Sequence, residues 1–129
     1  MTTTIDELIA RVEQGEGVDR ELDAQIWLFA TPGASRKATH INHPKGPYTI
    51  DETRDADHRL ITVPCYTTSI DAVVALIEQK LPGSVWDVSS TGGAWINGGG
   101  IMDQEYGHAP SPARALLAAF LKSLRPIGE

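Results

Sequence analysis

Residues 85–97 read VWDVSSTGGAWIN, and this stretch determines the fold class that we expect for the chain. Its two ends, VWDVS and AWIN, are typical of strands, and the turn-forming run Thr91-Gly92-Gly93 joins them as a hairpin. Gly98-Gly99-Gly100 is a second turn signal, and residues 101–106 then supply a third strand. The stretch therefore predicts a small antiparallel sheet.

Helices are predicted before and after this sheet in the sequence. Toward the C-terminus, Ser111 can cap a helix that has Pro112 at its first position, which is a favoured pairing. Toward the N-terminus, Ser69 can cap a helix whose apolar residues line one side. The chain opens with a capping box at Thr4 and has a second cap at Asp19, and together these predict a short helical hairpin.

The length of 129 residues fits a single domain. Residues 1–30 are the helical hairpin, and the sheet with its helices occupies 59–129, which opens with a strand at 59–63. Between them, residues 31–58 are rich in proline, glycine and histidine and predict a long loop with one short strand at 48–50. We therefore expect an α+β fold: a helical hairpin, then a helix and a three-stranded antiparallel sheet with a C-terminal helix, in which helices cover the sheet.

The charge balance argues against a long nucleic acid as the partner. Seventeen acidic residues against eleven basic ones give a net charge of −6, whereas nucleic-acid binders present a basic stripe. The element order of residues 69–124 resembles a double-stranded RNA-binding domain, but that fold has a basic cluster at the start of its last helix, where this chain has only Arg114. No apolar run is long enough to span a membrane and the N-terminus does not resemble a signal peptide, so we expect a cytoplasmic protein.

No pattern typical of a catalytic or metal site is found. His40 and His43 are three residues apart, but they lie in the predicted loop without a carboxylate or cysteine to complete a ligand set, so we predict no metal. Cys65 is the only cysteine, and its position after a strand and Pro64 favours a small, partly buried core residue over a nucleophile. The sequence therefore predicts no catalytic residue, no cofactor and no enzyme.

Aromatic and polar residues gather at the predicted hairpin, and two arrangements of its tryptophans remain open. If Trp86 and Trp95 both face the helices, they are core residues. If Trp95 and Tyr106 face outward, they form a platform on which a base or another protein could stack, with Asn97 beside them. This face of the sheet is the best candidate site in the sequence.

Three segments resemble the phage ABA sandwich domain family, a group of short phage and prophage proteins. They are DRELDA at 19–24, PCYTTSIDA at 64–72 and APSPARAL at 109–116. The resemblance implies a phage or prophage accessory protein that acts in the host cytoplasm and has a sandwich of helices and sheet. It implies no catalytic residues.

For such an accessory protein we expect one of two binding functions. In the first, it sequesters a small anionic nucleotide-type host defence signal, and the ligand-binding residues are Trp95, Asn97, Tyr106 and Arg114. In the alternative, it is an inhibitor or modulator that binds a host protein through its acidic helical hairpin, at Glu21 or Asp23. A role as a minor virion component is a third hypothesis. The open edges of a small sheet would also allow a homo-oligomer.

Overall fold

The computed structural model describes residues 4–97 and 104–124. Within these ranges the chain forms the following elements: α1 (Ile5–Gln14), α2 (Arg20–Ala30), β1 (Ser35–Ile41), β2 (Tyr48–Arg54), β3 (Leu60–Ile61), α3 (Ile70–Lys80), β4 (Val85–Val88), β5 (Gly93–Asn97), β6 (Glu105–His108) and α4 (Pro112–Ser123).

The C-terminal helix α4 is the centre of the core. Every residue from Ala113 to Leu121 is buried, because α4 packs against β4, β5 and β6 and also against α1 and α3. The faces turned toward it carry the apolar residues that the helical periodicity predicts, such as Leu8 and Val12 of α1 and Val73 and Ile77 of α3. A helix this deeply enclosed needs a nearly all-apolar surface, and the sequence ALLAAFL at 115–121 provides it.

The predicted helix starts are confirmed. The side chains of Thr4, Asp19, Ser69 and Ser111 each accept a hydrogen bond from the backbone N–H three residues later, and Pro112 occupies the first turn of α4. These bonds satisfy donors that the first turn of a helix cannot pair internally. The predicted helical hairpin is thus formed by α1 and α2, which contact each other.

The hairpin quoted at the outset forms the sheet that covers α4, which we call sheet B. Its strand order is β4-β5-β6, and both pairs are antiparallel. The turn closes with Gly92 at a φ of 97°, a conformation that favours glycine. The third strand lies at Glu105–His108 instead of 101–106. Residues 101–103 and the turn predicted at 98–100 lie outside the described residues.

The prediction of a long loop at 31–58 is wrong. β1 and β2 form a regular antiparallel hairpin that begins sheet A, whose order is β1-β2-β3. The short strand predicted at 48–50 lies within β2, but most residues of β1 and β2 are exposed, so no apolar alternation marks the hairpin as a whole. Pro44 and Pro47 fall in the connection between the strands, where their missing N–H groups break no ladder bond.

The strand predicted at 59–63 is also shorter than expected. Only Leu60 and Ile61 pair with β2. Beyond them, the Val63 carbonyl accepts a hydrogen bond of 2.6 Å from Arg20 Nη2 on α2, which holds the chain at the helix instead of the sheet. The second half of the predicted strand therefore joins the connection to α3.

The α+β class is confirmed: a helical hairpin precedes a third helix, a three-stranded antiparallel sheet and a C-terminal helix. The unforeseen feature is that the strands form two separate sheets. In the described ranges there is no helix with the length and apolar character needed to cross a membrane.

Candidate functional site

The outer face of sheet B brings together three of the four residues predicted to bind a ligand. Trp95 of β5 lies directly opposite Tyr106 of β6, so their side chains point to the same side. Ala94 and Ile96, the neighbours of Trp95 along the strand, are buried against the core, which places Trp95 and Asn97 on the outside. Tyr106 is 56% exposed. The alternative in which Trp95 and Tyr106 face outward is therefore the correct one.

Trp86 occupies the other side of the sheet. It packs with Val88 against the core cluster, while Asp87 between them is exposed beside Trp95. The two tryptophans thus have different roles: Trp86 belongs to the core, and only Trp95 is available at the outer face.

A groove of about 250 Å³ lies on this outer face, and Gly93 keeps its floor open. Its lining contains the outward residues Asp87, Gly93, Trp95, Tyr106 and His108 of the three strands, together with the neighbouring residues Val88, Ser89 and Ala94. A methyl group placed on Gly93 would stand 3.8 Å from the His108 ring, in ordinary van der Waals contact. The volume lies just below the roughly 300–1,000 Å³ of drug-sized ligand pockets, so the groove suits one planar ring.

The polar groups of the groove are only partly used within the protein. The Tyr106 hydroxyl accepts a hydrogen bond of 3.1 Å from Gln104 Nε2, and Asn97 makes a longer contact of 3.5 Å to Gln104. Asp87 accepts one bond through Oδ1, from the Val88 N–H. The His108 imidazole forms no hydrogen bond with a described residue. Hydrogen-bonding atoms of three kinds thus remain available: a hydroxyl, an imidazole and a carboxylate.

Strand β6 is held in place by its close approach to α4. At Gly107 an added Cβ would collide with the backbone of Ala115 and Ala119, so only glycine fits between strand and helix. Lys122 of α4 donates to the Tyr106 carbonyl and to Glu13 Oε2 of α1, both at 2.8 Å. Glu13 Oε2 in turn accepts a hydrogen bond of 3.4 Å from the His108 N–H, so the backbone is held on both sides of Gly107 and Tyr106 and His108 are directed outward.

The prediction that Arg114 joins this site is wrong. Arg114 lies in the first turn of α4 and is only 1% exposed. Its guanidinium donates to the carbonyls of Arg11 and Val12, both at 3.1 Å, and twice to that of Gly17, at 2.9 and 3.3 Å. A cation at this place complements the negative end of the α1 dipole. Arg114 therefore joins the C-terminus of α1 to α4.

The sequence carried a signal for this role. Leu117, Ala118 and Leu121 follow Arg114 at the spacings of one buried helical face, so the same periodicity that predicted the core placed Arg114 inside it. Gly15, where α1 ends, leaves the space: a Cβ there would stand 2.7 Å from Arg114 Nη1.

A larger cavity of about 820 Å³ lies between α2 and sheet A. Its charged side chains are paired with one another. Arg36 binds Asp51 through Nε and Nη2 and also reaches Glu21 of α2 at 2.6 Å. Arg54 pairs with Glu52 through a single hydrogen bond of 2.6 Å. Because these charges are already neutralised, this cavity offers fewer free polar groups than its size suggests.

The Arg36 pairs also affect the acidity of their partners. The hydrogen bonds from Arg36 lower the pKa of Glu21 and that of Asp51 below their usual values, and the pKa of Arg36 is raised in turn. Both carboxylates therefore favour the charged form in which they tie β1 and β2 to α2.

The two acidic residues proposed for protein binding are not free surface charges. Asp23 is fully buried, where it accepts from the Thr67 N–H at 2.8 Å and from Arg20 at 2.9 Å. Burial raises the pKa of Tyr66 to about 12, and the nearby charge of Asp23 contributes to the same shift. Glu21 is exposed but bound to Arg36. The hypothesis of an acidic docking face at these residues loses its basis.

The remaining reactive side chains do not form a common site. His40 contacts Thr49 within sheet A, and His43 lies beside Tyr48 with ring centroids 6.1 Å apart. Across residues 4–97 and 104–124, no three His, Cys, Asp or Glu side chains are grouped so as to hold a metal ion. Cys65 is exposed, with Arg20 Nη1 3.2 Å from its sulfur, so the prediction of a partly buried core cysteine is wrong.

No family model, curated protein or solved structure matches this chain.

Proposed function

We propose that this chain is a non-enzymatic binding protein that holds the planar ring of a small nucleotide-type ligand on the outer face of sheet B. The observation that carries the proposal is the outward pair Trp95 and Tyr106 beside an open glycine floor. Aromatic side chains on a strand give a base a stacking surface, and each stacked base contributes about 1–3 kcal/mol.

The site favours the ring over the phosphate of such a ligand. Among the described residues that line the groove there is no lysine or arginine, and Asp87 is acidic. Arg114, the one cation among the residues predicted to bind the ligand, is enclosed in the core. An amino group on the ring could donate to Asp87, and the Tyr106 hydroxyl could donate to a ring nitrogen or carbonyl.

The biological role follows from the resemblance of three segments to phage and prophage accessory proteins. On that basis the protein sequesters a nucleotide-type host defence signal in the host cytoplasm. A binding protein needs only affinity for this purpose, in keeping with a site that combines stacking with a few hydrogen bonds.

The test is a binding panel of nucleosides, nucleoside monophosphates and cyclic nucleotides, measured by calorimetry on the full chain. We expect at least one ring to bind, and Trp95→Ala or Gly93→Val to weaken it at least about tenfold, which corresponds to about 1.4 kcal/mol. Tyr48→Ala is the matched control, because Tyr48 is a half-exposed aromatic residue on the other sheet.

The panel also tests the preference for the ring. A nucleoside and its monophosphate should bind with affinities within about threefold of each other, with little dependence on salt, because no described cation lines the groove. Binding that is equally strong in Trp95→Ala, or absent for every ring, would contradict the proposal.

Binding of a host protein remains the second candidate function. The observation that favours it is the exposed β1–β2 hairpin and no longer the acidic helical hairpin.

A further inference from the structure

The β1–β2 hairpin exposes most of its surface. Of its two seven-residue strands, only Thr53 is buried, at the base where β2 meets β3. A two-stranded ribbon without a covered face is marginally stable in water. The exposed part of the hairpin can therefore accept a further strand.

The outer edge of β1 offers free backbone groups. In an antiparallel ladder, successive residues direct their N–H and C=O groups alternately to the two sides. The Asp55 N–H donates to the Arg59 carbonyl, so the odd-numbered residues of β2 face β3 and the even-numbered ones face β1. By the same alternation Arg36, Ala38 and His40 of β1 point outward, where no described strand pairs with them.

One face of the hairpin beside this edge is partly apolar. Ile41 lies opposite Tyr48, and Ile50 follows two residues later on the same face. Tyr48 is 48% and Ile50 40% exposed. An added strand would extend this face and could cover its apolar side chains with its own.

The same face carries a lysine that is not held in an ion pair with a described residue. Lys37 lies opposite Glu52, whose carboxylate is bonded to Arg54 instead. Lys45 lies in the connection between the strands. Neither lysine forms an ion pair with a described residue, whereas Arg36 and Arg54 are paired with acidic neighbours. The uncommitted charge of the hairpin is thus positive, although the whole chain has a net charge of −6.

We propose that the outer edge of β1 binds an extended acidic segment of a partner protein, which adds to sheet A as a fourth strand. The backbone of Arg36, Ala38 and His40 supplies the pairing, and Lys37 and Lys45 select acidic side chains. A second copy is disfavoured as the occupant, because β1 contains Arg36 and Lys37 and no acidic residue, so a second β1 strand offers Lys37 no acidic partner. This surface is independent of the Trp95 groove.

The probe is a library of random ten-residue peptides displayed on particles and selected on the full chain. The selected peptides are expected to be rich in Asp and Glu with apolar residues at alternate positions. Their binding should protect the amides of Arg36, Ala38 and His40 from hydrogen exchange, since these N–H groups become bonded.

Two variants test the backbone pairing at the β1 edge and the lysine charges separately. Ala38→Pro blocks the edge without removing a β1–β2 bond, because the Ala38 N–H points outward. Lys37→Glu combined with Lys45→Glu reverses the charge at exposed positions. Each should weaken the selected peptides at least about tenfold. Ala38→Val and Lys80→Glu are the controls, the latter at an unpaired lysine on α3, and both should bind as the parent does.

Three results would overturn the proposal: selected peptides without acidic enrichment, peptides that bind Ala38→Pro as tightly as the parent, or self-association of the chain that Ala38→Pro abolishes. Displacement of the peptides by an oligonucleotide that protects no β1 amide would also contradict it, since the lysines would then serve nucleic acid. Trp95→Ala should leave peptide binding unchanged, so a failure here is distinguishable from a failure of the ring-binding site.

Discussion

Arg114 shows how a single residue can hold two distant parts of the chain together. Two of the four hydrogen bonds of its guanidinium go to carbonyl oxygens in the last turn of α1 and two go to the Gly17 carbonyl in the connection that follows, about a hundred positions earlier in the sequence. No described carboxylate neutralises it, so the carbonyls and the α1 dipole stabilise the charge. Removing the guanidinium leaves buried acceptors without donors.

We predict that Arg114→Met lowers the free energy of unfolding by about 3 kcal/mol, because hydrogen bonds to charged groups contribute about 1.5–3 kcal/mol each and the methionine replaces only the packing. Urea denaturation measures the effect. Arg59→Met is the control, because the exposed Arg59 side chain forms no ion pair with a described residue and should change stability by less than about 0.5 kcal/mol. A loss for Arg114→Met no larger than for this control would contradict the role assigned to Arg114.

Gly15 gives a second prediction at the scale of one residue. Gly15→Ala places a methyl group 2.7 Å from Arg114 Nη1 and 2.9 Å from the Arg11 carbonyl, and we expect it to destabilise the fold by about 1–3 kcal/mol. In the Arg114→Met background the loss should be smaller, because one of the two colliding groups is gone. A double-mutant cycle measures this coupling, and strict additivity would show that the two residues do not interact.

At the scale of single elements, Gly107 and Gly93 lie on neighbouring strands of sheet B but on opposite faces. A Cβ at Gly107 meets the α4 backbone, whereas a Cβ at Gly93 meets only the His108 ring. We predict that Gly107→Ala lowers stability by about 3 kcal/mol, and Gly93→Ala by less than about 0.5 kcal/mol. Thermal unfolding followed by circular dichroism distinguishes them, and equal losses would contradict the proposed packing of β6 on α4.

The docking of sheet A on α2 should depend on pH. Arg36 lowers the pKa of Glu21 and of Asp51 in the folded state, so their contribution is present above the unfolded pKa values and is lost as pH falls through the folded ones. Because both carboxylates are largely exposed, we expect a small loss of about 0.5 kcal/mol between roughly pH 5 and pH 3. Urea denaturation at both pH values should show a smaller loss in Arg36→Met than in the parent.

Arg59→Met is the control for this pH dependence, since the Arg59 side chain forms no described ion pair. It should lose as much stability in acid as the parent does. If Arg36→Met also loses as much as the parent, the pH dependence arises from other carboxylates and the Arg36 pairs contribute nothing.

At the scale of the whole molecule, the elements that the sequence predicted correctly are those that bury apolar residues. α1 and α3 combine a capping residue with an apolar stripe, and α4 combines its cap with a nearly all-apolar surface, so both signals agree in each helix. β1 and β2 expose most of both faces, so only backbone pairing defines them, and pairing leaves no periodic pattern in the sequence. This is why a hairpin was mistaken for a loop.

The sequence predicted part of the candidate site: the strands that carry its residues, but not the side of the sheet that they face. Spacing could place Trp95, Asn97 and Tyr106 on adjacent strands, but the side that Trp95 occupies depends on Ala94 and Ile96 being the buried pair. Alternation alone leaves that choice open, because tryptophan suits either face. The prediction for Arg114 fails because cations are rarely buried, whereas the position of Arg114 among the apolar residues of α4 places this one in the core.

The most direct test of the ring-binding site uses the three tryptophans as internal reporters. The indole N–H signals of Trp27, Trp86 and Trp95 can be assigned by nuclear magnetic resonance with single Trp→Phe variants and followed during titration with a nucleoside. Ring binding at the outer face of sheet B predicts a saturable shift of the Trp95 signal, while Trp27 and Trp86 stay in place because they pack against the core. If the Trp95 signal does not move for any nucleoside or cyclic nucleotide, or moves only together with the other two, the ring-binding site is contradicted.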